Sequence, residues 1–174
     1  MIRPFQGASP KIASTAYIDP SAQLIGAIEI GERSTVWPNV TIRADVNTIA
    51  IGHETNIQDN SVLHVDGPHD DSPGFPMILG NRVTIGHAVT LHGCTIADEA
   101  LIGIGAIVLN GARIGAGAVV AAGALIPENM EVPAGMLAMG VPAKVRREVT
   151  PEERERFRGG ARHYVELGQK YKSA

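Results

Sequence analysis

The sequence predicts an all-β fold, a parallel β-helix of hexapeptide repeats closed by a C-terminal α-helix. Three observations carry that reading. Aliphatic residues recur every six positions, a second small or β-branched residue follows four places after each, and glycine often stands directly after the aliphatic one. An amphipathic helix does not track a strict period of six, because its own turn takes about 3.6 residues.

From Ile12 the aliphatic register runs through Ile18, Leu24, Ile30 and Val36 to Ile42. It resumes at Ile51, Ile57 and Leu63, and again at Leu79, Ile85 and Leu91. The last run is Ile96, Ile102, Val108, Ile114, Val120, Ile126 and Val132. All 19 positions are Ile, Leu or Val, types that fill only 42 of 174 places, so chance does not supply the match. The second expected inward series is Ala16, Ala22, Ser34, Val40, Val46, Thr55, Ser61, Val83, Val89 and Thr95, then every sixth residue from Ala100 to Ala124. Two inward positions per six residues describe a short strand with alternating faces and then a bend. Three such hexapeptides make one triangular coil, and coils stack at about 4.8 Å. A β-sandwich would need regular hairpin signals, and only Asn110-Gly111 offers one.

The register breaks organise the chain. Three extra residues lie between Ile42 and Ile51, ten between Leu63 and Leu79, and one is missing between Leu91 and Ile96. The expected organisation is an N-terminal segment over 1–11, a β-helix over 12–148 with an inserted loop at 66–76, and a helix over 149–172. Thr150-Pro151-Glu152-Glu153 reads as the helix start, with Thr150 as N-cap, Pro151 in the first helical position and Glu153 closing a capping box. Phe157, Ala161, Tyr164, Gly168 and Tyr171 form a stripe that needs a partner, either a side of the β-helix or a neighbouring subunit. Gly159-Gly160 weakens the helix by about 1 kcal/mol per glycine, and a kink is expected there.

Composition narrows the function. A net charge of −3 and a pI near 6.0 leave no electrostatic footprint for nucleic acid or a membrane surface. Cys94 is the single cysteine, so a disulfide framework is excluded and it reads as a small core filler. Met1 to Pro10 lack the basic start and apolar run of a signal peptide, and no stretch is apolar enough to span a bilayer. A reducing cytoplasm is the expected location.

The repeats place chemistry on one face. Ile42, Leu63 and Leu91 are the sixth, ninth and twelfth repeat starts, so they stack on successive coils. The residues that follow them, Arg43, His64 and His92, share one outward position. Two imidazoles about 4.8 Å apart at the backbone can converge on one ion with Zn–N bonds of about 2.0–2.1 Å. His87 falls in the eleventh repeat, at a corner of a different face, above Gln58 and Asp59. Packed as a threefold trimer, one subunit's corner meets its neighbour's face. His87 of one chain then joins His64 and His92 of another. His53, His69 and His163 read as solvated surface residues.

These residues resemble the γ-class carbonic anhydrase family, in its bacterial hexapeptide-repeat subgroup. The likeness runs through Ile42-Arg43-Ala44-Asp45, through Thr55 to His64 with Asn56-Ile57-Gln58-Asp59-Asn60, and through Thr84-Ile85-Gly86-His87 to Leu91-His92-Gly93-Cys94. It implies a left-handed winding, a homotrimer with a metal at each interface, and hydration of CO2 to bicarbonate. It assigns His64, His87 and His92 as metal ligands, with Zn2+ expected and Fe2+ or Co2+ as alternatives, since imidazole suits all of them. Arg43 matches an intersubunit partner of Asp59, Asp45 and Gln58 match residues lining the site, and Tyr164 matches an aromatic residue brought over it by the helix. Two positions depart from the family's prototype, which carries a Glu where this chain has Val46 and a proton-shuttling Glu where it has Val65-Asp66-Gly67-Pro68. Slow proton export and weak hydration are therefore expected. A hexapeptide-repeat acyltransferase, which uses one interfacial His, and a non-catalytic metal-binding or assembly protein are the competing readings.

Overall fold

A computed structural model describes residues 1–173. The strands stack into a 12-stranded sheet that turns one corner and an 8-stranded sheet on the remaining face. Gln23–Ile30 and Thr41–Ile51 are long strands that run through the corner and so join two faces. Three ladders result, parallel throughout. The first is Leu24, Ile42, Leu63, Leu91, Val108 and Ile126. The second is Ile12, Ile30, Ile51, Leu79, Ile96, Ile114 and Val132. The third is Ile18, Val36, Ile57, Ile85, Ile102 and Val120, continued by Ala138. Every aliphatic repeat start lies in one of the three. All are buried except Ile12 and Ile18 in the first coil, which pack partly buried against the core. Each fully buried side chain of this size contributes about 1.5–3 kcal/mol, and this summed burial holds the coils together.

Two of the expected inward residues point elsewhere. Val46 is 47% exposed, and Ala44 and Ile49 fill the interior on either side of it. The three extra residues after Ile42 interrupt the alternation within Thr41–Ile51, whose pairing with Gln23–Ile30 shifts register between Gly26 and Ile28, and Val46 falls in the unburied stretch between Ala44 and Ile49. Thr95 is likewise only partly buried, and Cys94 takes its inward place at 1% exposure. The five-residue repeat from Leu91 to Ile96 moves the bend one residue earlier.

At the N-terminus, Ile2–Arg3 pairs in parallel with Leu24–Ile25 and extends the first face below its first repeat. Beyond Val132, Met136–Gly140 completes the third face, and Ala143–Glu148 returns antiparallel beside it. The chain then enters the helix Pro151–Lys172, capped by the Thr150 hydroxyl and the reciprocal Glu153 carboxylate. Its helical turns continue unbroken through Gly159 and Gly160. The helix lies back along the third face. Ala161 and Gly168 are buried, and Tyr164 and Tyr171 stand edge-on to Trp37 at 5.5 and 5.2 Å. Gly168 is required there, because a β-carbon would stand 2.3 Å from Thr35 Cγ2. The stripe's partner is therefore the β-helix of its own chain. No helix among the described residues is long and apolar enough to cross a membrane.

Candidate metal centre

Arg43 is paired in register with His64, and His64 with His92, on the first face. The three-repeat coil predicts this stack, and the sheet register delivers it. Parallel pairing sets the backbones side by side, and the alternation that turns Ile42, Leu63 and Leu91 inward turns these three outward.

The side chains form one connected cluster. His64 Nδ1 and His92 Nε2 lie 3.0 Å apart. His64 Nε2 is 3.0 Å from Asp45 Oδ1, and Arg43 donates to Asp45 Oδ2 at 2.5 Å. His92 Nδ1 stands 2.6 Å from Asn110 Oδ1. Burial would raise the Asp45 carboxyl, but the hydrogen bonds from Arg43 and His64 outweigh it and hold it below the usual range. Burial lowers the His64 imidazole, the Asp45 hydrogen bond opposes this, and the charges of Arg43 and His92 lower it further. Neutral imidazole is the form that binds metal.

The partners select the tautomers. An ionised Asp45 only accepts, which favours the His64 proton on Nε2, and an acceptor at Asn110 Oδ1 favours the His92 proton on Nδ1. His64 Nδ1 and His92 Nε2 are left as two lone pairs facing each other. Such a pair is repulsive until a proton or a metal cation joins it. The donor set thus fits a divalent metal, with each ring anchored by a carboxylate or carbonyl on its other nitrogen.

The second cluster lies at the corner of the third face. His87 Nδ1 is 3.0 Å from Asp59 Oδ2, and the two side chains are 43% and 36% exposed. Beside them Gln58 is buried, its Nε2 donating to Asn56 Oδ1 at 3.0 Å, while Asn56 donates to Thr84 Oγ1 at 2.9 Å. Tyr164 packs against Trp37 near this corner, and its phenol is raised by burial and then by the Asp59 charge. Within one chain Arg43 pairs with Asp45 and Asp59 with His87.

One chain therefore brings together Arg43, Asp45, His64 and His92, and separately Gln58, Asp59, His87 and Tyr164. Asp45 meets His64 at the ring nitrogen away from His92, and His87 lies on a different face, so the described residues contain no group of three or more His, Cys, Asp or Glu placed to hold an ion. His69 stays in the inserted loop with Asp66, 3.5 Å away. Sequence reasoning missed Asn110. Its signal is the repeat shortened by one residue after Leu91. The coil above keeps its full six residues from Val108 to Ile114 and overhangs the shorter one at Asn110.

No family model matches the chain. Among curated proteins, it is 46% identical over 173 residues to a carbonic anhydrase of Geobacillus kaustophilus, covering 99% of this chain and 92% of that one. It is 39% identical over 161 residues to the mitochondrial gamma carbonic anhydrase 2 of Arabidopsis thaliana, covering 92% of this chain but 58% of that longer one. Among solved structures, a Bacillus cereus protein described provisionally as an acetyltransferase superposes with a TM-score of 0.93 at 45% identity, covering 99% of this chain and 96% of that one. With nearly its whole length matched at this level, the chain belongs to the γ-class carbonic anhydrase-like family of hexapeptide-repeat proteins.

Proposed function

We propose that the protein hydrates CO2 to bicarbonate at a divalent metal held by His64 and His92 of one subunit and His87 of the next, in a homotrimer. The observation that carries this reading is the facing pair of ring nitrogens, His64 Nδ1 and His92 Nε2, 3.0 Å apart. Their other nitrogens are engaged by Asp45 and Asn110. The exposure of His87 and Asp59 at a corner suits a ligand delivered to a neighbouring copy, and frees Asp59 to meet the neighbour's Arg43. Zn2+ is the metal proposed, with Fe2+ or Co2+ as alternatives.

The chemistry such a metal supplies when bound is acidification of water to a pKa of about 7. The chain's own residues do the rest. Asp45 orients His64 and neutralises Arg43. Gln58 has its amide nitrogen occupied by Asn56, so its carbonyl oxygen is the end that accepts from a water or from the hydroxyl of bicarbonate. Tyr164 is held against Trp37 on the same side, where the Asp59 charge reaches its phenol. Proton export is the weak step, because Val46 and Gly67 stand near where the family's prototype keeps carboxylates to carry it.

Stopped-flow CO2 hydration on the Zn2+- and Fe2+-loaded protein tests this, with His64→Ala as the negative control. Hydration that disappears in the variant is expected. No hydration at confirmed metal occupancy overturns the enzyme reading in favour of a metal-binding or assembly protein. The name carried by the Bacillus cereus structure supports a second reading, acyl transfer. Saturable acetyl-coenzyme A binding would favour that alternative.

A further inference from the structure

Resting on the metal-centre reading above, we infer that Asn110 is a positioning residue for the metal site, holding His92 in the ligating tautomer and orientation through its side-chain carbonyl. Asn110 Oδ1 lies 2.6 Å from His92 Nδ1, a shorter contact than those of Asp45 with His64 or Asp59 with His87. Only with a proton on Nδ1 does His92 present Nε2 as a lone pair toward His64.

The surrounding backbone is shaped to deliver that carbonyl. His92 is followed by Gly93 at φ +51, and a β-carbon there would stand 2.6 Å from Asn110 Oδ1 and 2.6 Å from Phe75 Cβ. The glycine thus opens the space through which Asn110 reaches the ring. Gly93 N–H donates to the His64 carbonyl at 3.0 Å, and Gly111 N–H donates to the Gly93 carbonyl at 2.8 Å. The bend after His92 is so tied to the coil below and to the residue after Asn110. From the far side, Asn129 N–H donates to the Asn110 carbonyl at 2.9 Å, fixing its backbone. Phe75, from the inserted loop, lies against both Gly93 and Gly111. All of this follows from the shortened repeat, which leaves the coil above one residue longer at this corner.

Such outer partners of ligating histidines contribute about 10–100-fold to metal affinity. The test is Zn2+ affinity by chelator competition on the intact oligomer, together with the visible spectrum of the Co2+ form. Asn110→Leu keeps the size and loses the acceptor, and should bind about 10–100-fold more weakly with a shifted Co2+ spectrum. Asn110→Asp keeps an acceptor and should retain wild-type affinity or exceed it. Melting of the metal-free proteins separates positioning from folding. If Asn110→Leu also melts early, recovery of both properties in Asn110→Asp still supports the assignment. Unchanged affinity in Asn110→Leu, while His92→Ala loses the metal, overturns it. Weak binding by Asn110→Asp with an unchanged melt overturns it as well. Wild-type affinity in His92→Ala sinks the metal centre itself, a different failure.

Discussion

Val46 and Gly67 touch. A β-carbon on Gly67 would stand 2.9 Å from Val46 Cβ. The two positions at which the chain departs from the family's prototype therefore meet, one at the corner strand and one at the foot of the inserted loop. On the proposed function, the carboxylates expected to carry protons are replaced at both of these neighbouring positions. Hydration should be slow in dilute buffer and rise with the concentration of a small buffer such as imidazole, which carries protons in place of a side chain. Val46 is outward and 47% exposed, so Val46→Glu should be accommodated and raise the dilute-buffer rate. A high rate insensitive to buffer, measured by stopped flow, would show that Asp66 or His69 already carries the protons.

His87 and His64 lie on different faces of one chain, so the proposed metal site would lie between chains. His87→Ala and His64→Ala homotrimers should each lose the metal. Co-refolded mixtures should regain part of it, because some interfaces then combine an intact His87 with an intact His64 and His92. Metal analysis of the mixed oligomers checks this, and no recovery would argue for a site within one chain.

Gly168 lets the helix approach Thr35 more closely than any side chain allows. Gly168→Ala should destabilise the fold by about 1–3 kcal/mol through overpacking. It should also loosen the aromatic cluster of Tyr17, Trp37, Tyr164 and Tyr171. Thr35→Ser removes the clashing methyl and should restore most of the loss in the double variant. Thermal melts and Trp37 fluorescence report both effects.

The helix start carries a pH dependence. The Arg147 hydrogen bonds, then the Thr150 backbone N–H, lower the Glu153 carboxyl from 4.5 to about 2. A carboxyl depressed on folding stabilises the folded state fully above its unfolded value. That contribution disappears as pH falls from about 4.5 through about 2. Helical circular dichroism should therefore soften across that window. In Glu153→Gln, which keeps the capping acceptor but not the charge, this part of the pH dependence should vanish. An identical acid profile in the variant would remove Glu153 from the account.

The β-helix and its first-face stack were legible in the sequence because they depend only on counting. Six residues per face and three faces per coil put Arg43, His64 and His92 in line before any coordinate is known, and the pattern of Ile, Leu and Val names the ladders. The capping box at Thr150 is equally local, since four residues of chain contain both of its hydrogen bonds. Tertiary structure decided what counting cannot reach. Where the repeat changes length, the bend moves, and only the folded corner shows that Val46 turns outward and Cys94 replaces Thr95 in the core. The same displacement brings Asn110 over His92 from 18 residues away, a contact set by the unequal lengths of two stacked coils rather than by any pattern along the chain. The helix stripe announced an apolar face but not its partner. The close fit of Gly168 on Thr35, which depends on three-dimensional shape, assigned it to the chain's own third face.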